Sequence, residues 1–196
     1  CDVKGLEVLD KIFLSEPVDS YYAARRQMGT LVAMACGRPE TSCFCKVFGV
    51  DCAQPAGDVV TWLVDDTLYW EAQTEKGEAL TAKVSQLLEK ADASAVEAEK
   101  QNIRAIVEKL PYAKLSLDGW NGEALNEKFN SPLWEQLYKP CLACGTCTFV
   151  CPTCQCYDIR DLDNGREVLR YRCWDSCMYS EFTKMSAGQP RLTQVE

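Results

Sequence analysis

The stretch PCLACGTCTFVCPTCQC puts six cysteines into the sixteen positions from Cys141 to Cys156. Core packing does not ask for thiols at that density, so their spacing is the first thing to read. Cys141, Cys144, Cys147 and Cys151, followed by Pro152, are spaced C-x2-C-x2-C-x3-C-P, the run that holds [4Fe-4S] cubanes in bacterial ferredoxins. Three thiolates two residues apart can wrap a tight loop around three irons of one cube. Gly145 lets the backbone approach the sulfides, where neighbouring N–H groups can bond to sulfur. Pro152 stops the local helix and turns the fourth thiolate away, as when that cysteine serves a second cluster. The spacing predicts Cys141, Cys144 and Cys147 on one cluster and Cys151 on another.

A second run of the same form is absent. Cys154 and Cys156 follow instead, then Cys173 and Cys177, so eight thiols lie between positions 141 and 177. Eight are enough for two cubanes. Nearer the start, Cys36, Cys43 and Cys45 sit in ACGRPETSCFC, with Cys1 and Cys52 outside it. Four of these five could hold a further cubane, with Gly37 and Pro39 shaping the loop. The competing reading is a set of buried free cysteines acting as small hydrophobes. A C-x-C pair flanking an aromatic is unusual for packing alone, and it favours a cluster held by four of these five thiols. The expected total is two or three [4Fe-4S] clusters.

Other uses of the thiols are weaker. A disulfide framework suits a short secreted domain with little core, whereas this chain has 196 residues and an odd count of 13 cysteines. A zinc site would take four thiolates and leave the rest idle. With no histidine, the chain has no Rieske centre, histidine-ligated haem, Ser-His-Asp or Cys-His catalysis. It also has no GxGxxG and no P-loop, so no nucleotide-binding signature. The net charge of −8 opposes a nucleic-acid partner. No apolar run approaches bilayer length, LVAMAC being typical, so no transmembrane segment is expected. The sequence begins at Cys1 rather than Met, which suggests a truncated polypeptide.

The elements that must position these thiols follow from apolar spacing. Helical periodicity runs from Asp2 to Phe13, and a second helix is expected over Asp19 to Gln27. TLVAMAC, from Thr30 to Cys36, reads as a short buried strand entering the cysteine loop of residues 37–55. VVTWLV and TLYWEAQ form an expected hairpin turning at Asp65-Asp66. Glu78 to Lys90 and Ser94 to Leu110 read as helices, with Ser94 as a cap and an exposed hairpin or spacer as the expected arrangement. Ser131-Pro132 opens a short helix ending at Tyr138. Asp163-Asn164-Gly165 is a turn between two further strands, and the tail from Lys184 is polar. The expected architecture is an α/β domain over residues 1–76, a helical connector over 77–139, and a ferredoxin-like α+β module over 140–196.

Beyond these single readings, several stretches occur together in one order: CDVKGLEVLDKIFL, DSYYAARR, CGRPETSCFC, EKGEALTA, CLACGTCTFVCPTCQCYDIRD and RCWDSCMYSEFTKMSAG. In that combination the chain resembles iron–sulfur electron-transfer subunits of the 4Fe-4S dicluster type. These include sulfhydrogenase beta subunits, the corresponding iron–sulfur subunits of anaerobic sulfite reductase, and relatives attached to heterodisulfide-reductase-like complexes. The resemblance matches Cys1, Cys36, Cys43, Cys45, Cys141, Cys144, Cys147, Cys151, Cys154, Cys156 and Cys177 to family cysteines, and leaves Cys52 and Cys173 without a counterpart. With the C-x-C pair it implies an amino-terminal cubane on Cys36, Cys43 and Cys45 with Cys1 as the fourth ligand, and a component of an anaerobic complex. Thiolates kept for cubanes suit a reducing cytoplasm. Electrons would pass between two partner subunits, one that binds flavin or NAD(P) and one that is catalytic. Two other functions remain open from the residues: a subunit whose incompletely ligated cluster is itself catalytic, and a zinc-stapled interaction module.

Overall fold

The computed structural model describes residues 1–179 and 181–189. The chain divides into two units, Cys1–Leu117 and Asp118–Glu196. In the first, helix α1 (Asp2–Phe13) is followed by α2 (Ser20–Met28). Asp19 caps α2 by accepting the Tyr22 N–H at 2.9 Å, so the helix starts one residue later than its periodicity suggests. Asp10 of α1 joins the two helices, accepting the Tyr22 hydroxyl at 2.7 Å and Arg26 Nε at 3.0 Å. Phe13 stacks on Tyr22 with ring centroids 5.0 Å apart.

A three-stranded mixed sheet forms the centre of this unit. β1 (Val32–Met34) pairs in parallel with β2 (Val59–Val64), which pairs antiparallel with β3 (Thr67–Ala72). The turn at Asp65-Asp66 closes the β2–β3 hairpin in the expected place, with Asp65 at φ 51°. A parallel pair cannot be joined by a tight turn, so the chain between β1 and β2 must make a long crossover. That crossover, residues 35–58, is the cysteine loop.

Helix α3 (Glu75–Val84) is capped by Thr74, whose hydroxyl accepts from Gly77 N–H. Gly77 is required at its position, because a Cβ there would press into the Asp58 carbonyl. Helix α4 (Ser94–Glu108) departs from the expected spacer. Its Val96, Ile103 and Val107 are buried with Trp62, Val60, Ala35, Cys52 and Ala53 in one core. The acidic, alanine-rich surface hides an apolar stripe of helical period, and burying it against β2 is worth more than leaving it wet. Ala93 rather than Ser94 precedes the helix, and Asp92 accepts the Ser94 N–H at 2.6 Å.

The second unit opens with two short helices, α5 (Ala124–Phe129) and α6 (Leu133–Tyr138). The first is absent from the sequence expectation; six residues carry too little periodicity to be seen. Helix α7 (Thr146–Val150) lies inside the cysteine run. β4 (Tyr157–Asp163) and β5 (Val168–Trp174) form an antiparallel hairpin. Asn164 holds its turn by accepting the Arg166 and Glu167 N–H groups. The chain is thus a mixed α+β protein. Of the polar tail, residues 190–196 lie outside the described residues.

Candidate metal centres

None of the 13 cysteines is joined in a disulfide. Among the described residues, no three Cys, Asp or Glu side chains converge closely enough to surround a single metal ion. The thiols instead fall into groups along the chain, and each unit contributes its own.

In the second unit the C-x2-C-x2-C run forms a loop entering α7. Ala143 and Gly145 both have positive φ, 52° and 72°. Gly145 is buried beneath the Tyr179 ring, and any Cβ would collide with the Tyr179 hydroxyl. This glycine therefore answers two demands, the left-handed backbone and the close approach. The Ala143 N–H points at Cys141 Sγ, at 3.5 Å. The Thr146 hydroxyl lies 3.2 Å from Cys144 Sγ, and with the Thr146 N–H it holds the Cys144 thiol below its ordinary pKa. Cys147 lies in the first turn of α7, and its carbonyl accepts the Cys151 N–H at 3.0 Å. Cys151 Sγ in turn lies 3.2 Å from the Thr153 hydroxyl.

The hairpin does the remaining work. Cys156 stands just before β4 and Cys177 just after β5, so antiparallel pairing brings residues 21 positions apart to the same end. The Asp175 N–H bonds to the Cys156 carbonyl at 3.1 Å. Cys156 Sγ takes the Cys177 backbone N–H and lies within bonding range of the Cys154 and Cys177 thiols. Its pKa is raised, first by burial and then, against the Cys177 N–H, by the Cys177 thiol. Cys154, Cys156 and Cys177 thus form one group, while Cys173 lies on β5 opposite Asp158.

In the first unit, residues 45–48 form a 3-10 turn closed by Gly49 at φ 70°. That turn doubles the chain back and leaves Cys45 Sγ and Cys52 Sγ 3.2 Å apart. The Cys36 N–H bonds to the Cys52 carbonyl at 2.9 Å. Burial first, then the Cys45 thiol and the nearby Cys36, push the Cys52 thiol up to about 12. Cys1 precedes α1 and shares a cleft of 540 Å³ with Cys36, Val50 and Asp51. Cys43 sits in the open loop, its N–H bonded to the Glu40 carbonyl at 3.0 Å.

These surroundings fit iron–sulfur clusters. The donors are soft thiols, Cys141 sulfur receives a backbone N–H, Cys144 and Cys151 sulfurs lie within hydrogen-bonding distance of threonine hydroxyls, and no histidine competes. A 4Fe-4S dicluster domain matches residues 140–196. That C-terminal segment is a member of the 4Fe-4S dicluster domain family. The dicluster domain thus covers α7, the β4–β5 hairpin and the eight thiols from Cys141 to Cys177. Over 192 residues, 96% of its length, the chain is 33% identical to sulfhydrogenase 2 subunit beta of Pyrococcus furiosus. It spans 56% of that relative. No solved structure matches the chain. No helix among the described residues is long and apolar enough to cross a membrane.

Sequence reasoning missed Thr146 and Thr153. The two threonines had a signal, since each stands two residues after a cysteine, in C-G-T and C-P-T. Cys52 was one of five candidate thiols, and its place beside Cys45 follows from the crossover and the 3-10 turn.

Proposed function

We propose that this chain is an electron-relay component of a cytoplasmic, anaerobic oxidoreductase complex. It carries electrons between two partner subunits, one that binds flavin or NAD(P) and one that is catalytic. The observation that carries the reading is the dicluster domain itself, eight thiols within 37 positions, beside a further thiol group in the other unit. We assign Cys141, Cys144 and Cys147 to one cubane, and Cys151, Cys154, Cys156 and Cys177 to a second. Thiols of the loop carrying Cys36 and Cys45, together with Cys1, hold a third. Bound clusters supply one-electron redox chemistry.

The protein's own residues hold the thiolates in place and set hydrogen-bonding groups beside several sulfurs. Partners need surfaces, and exposed apolar side chains stand beside the thiols. Leu142, Phe149 and Val150 flank the C-terminal run, and Phe44 and Phe48 flank the amino-terminal loop. Apolar centres with polar rims are the composition of protein interfaces.

The test is native anaerobic purification, followed by metal and sulfide analysis and EPR after reduction. The relay reading expects iron and acid-labile sulfide in near-equal amounts, several reducible clusters and co-purifying subunits. Zinc without sulfide, or a lone monomer that reduces a small substrate with NAD(P)H, overturns it.

A further inference from the structure

We propose that Cys45 and Cys52 form a redox-sensitive switch, closing into a disulfide that withdraws Cys45 from metal binding and reopening when a thiol reduces it. The pairing stands on geometry alone; its effect on metal rests on the reading that Cys45 serves an amino-terminal cubane. The two sulfurs lie 3.2 Å apart, and either thiol can donate to the other. That is far too close for two ligands of one cube, so with the loop folded this way only one of the two can serve a cluster. It is close to what a disulfide needs. An S–S bond of about 2.05 Å asks the sulfurs to approach by roughly 1.2 Å, within reach of side-chain rotation.

The loop keeps this pair together by its backbone. Residues 45–48 form the 3-10 turn, Gly49 at φ 70° reverses the chain, and the Val50 N–H returns to the Cys45 carbonyl at 3.2 Å. Helix α4 meets both ends of the loop, Glu108 pairing with Lys46 beside Cys45, and Arg104 with Asp51 beside Cys52 at 2.8 Å. Such surface pairs add little stability, but they set both ends against one helix. Deeper in, the Trp62 indole donates to the Ala53 carbonyl at 2.8 Å, and the Cys36 N–H to the Cys52 carbonyl at 2.9 Å. Packing as a small hydrophobe accounts for the burial of Cys52. It does not account for a second sulfur held in contact with it. Cys52 also lines a cleft of 370 Å³ with Lys46, Gly49 and Ile103, and Cys45 is half-buried, so a small oxidant can reach the pair.

The oxidant is a low-molecular-weight disulfide such as oxidised glutathione. Cys45, the more exposed thiol, gives up its proton and attacks one glutathione sulfur. The glutathione S–S bond breaks and one reduced glutathione leaves. Cys52 then loses its proton, attacks Cys45 Sγ and expels the second. Two protons and two electrons pass from the pair to the oxidant, which departs as two thiols, and one S–S bond has replaced another.

The experiment takes the full chain in two states, natively purified with its iron and after removal of iron by a chelator. Oxidised glutathione is added anaerobically, the remaining thiols are capped with N-ethylmaleimide, and peptide mass spectrometry maps every cysteine. The iron-free chain should join Cys45 to Cys52, leave Cys43 capped, and reopen the pair with dithiothreitol. The iron-loaded chain should form the link only as about four irons per chain are released. Cys52→Ala should keep that iron under the same oxidant. An iron-free chain that leaves Cys45 capped, or joins it to another cysteine, overturns the switch. A Cys45–Cys52 link at full iron content shows that Cys45 holds no cluster, which overturns the amino-terminal cubane and the switch with it, although the dithiol stands. Equal iron loss from Cys52→Ala and the parent overturns the disulfide as the cause. The parent's map needs no variant, so it decides the pairing even where Cys52→Ala fails to fold.

Discussion

At the scale of single residues, the two threonines beside cysteine sulfurs would tune the potentials of the clusters proposed for the dicluster domain. With Cys144 ligating iron as proposed, its sulfur has no proton to give, and the Thr146 hydroxyl 3.2 Å away is the donor. Reduction adds negative charge to the sulfurs, and a donor there favours the reduced state. Thr146→Val removes the hydroxyl at nearly constant volume. If the bond contributes ~1 kcal/mol more to the reduced state, the one-electron midpoint falls by about 40 mV. An EPR-monitored redox titration reads that shift, and an unchanged midpoint refutes the role. Gly145→Ala tests the loop differently. It puts a Cβ at φ 72° and into Tyr179, so iron loading of the C-terminal module should fall while the first unit keeps its fold.

Among elements, Asp58 and Ile103 decide how the crossover is held. Asp58 opens β2, accepts the Leu31 N–H at 2.8 Å ahead of β1 and the Thr74 hydroxyl at 2.6 Å at the start of α3, and offers its carbonyl to the close approach of Gly77. Burial acts to raise its carboxyl pKa, but the Leu31 and Thr74 bonds with Lys76 and Arg26 outweigh it, and the net pKa is lowered. A lowered folded pKa means that Asp58 stabilises the protein above its ordinary carboxylate value. That contribution drains away as pH falls through the folded value. Asp58→Ala should cost roughly 1–3 kcal/mol in denaturant at neutral pH, with the difference from the parent shrinking in acid. A difference that holds constant down to strong acid would show that the carboxylate is not the cause. Ile103→Ala should cost about 2–5 kcal/mol, because α4 seals β2 through this 2% exposed side chain. An exposed spacer helix would lose almost nothing, so chemical denaturation separates the two arrangements.

For the whole molecule, the two units differ in what holds them together. Every buried hydrophobic side chain among the described residues lies in Cys1–Leu117, while in Asp118–Glu196 the described residues that are buried are Gly145 and Ser176. A unit of that size without an apolar core needs another source of stability, and ligated metal is the one its composition offers. Removing iron from the full chain with a chelator should therefore leave Cys1–Leu117 protected in hydrogen exchange. Residues 118–189 should exchange rapidly and become sensitive to protease. Equal loss of protection in both units would mean that the clusters hold the first unit as well.

What the sequence determined by itself was whatever depends on neighbours along the chain. The C-x2-C-x2-C-x3-C-P spacing, the helix over Asp2–Phe13 and the turns at Asp65-Asp66 and Asp163-Asn164-Gly165 are written in short-range pattern, and so the dicluster domain was legible before any fold. Tertiary structure decided the rest. The stripe of Val96, Ile103 and Val107 was visible as a period, but whether it met solvent or β2 depended on a partner strand 30 or more residues away. Cys154, Cys156 and Cys177 meet because β4 and β5 pair, a contact made across the hairpin. Cys52 reaches Cys45 because a parallel strand pair forces a long crossover and a 3-10 turn folds it back. Such distances are set by the strain and burial of a closed loop, and a list of residue types does not contain them.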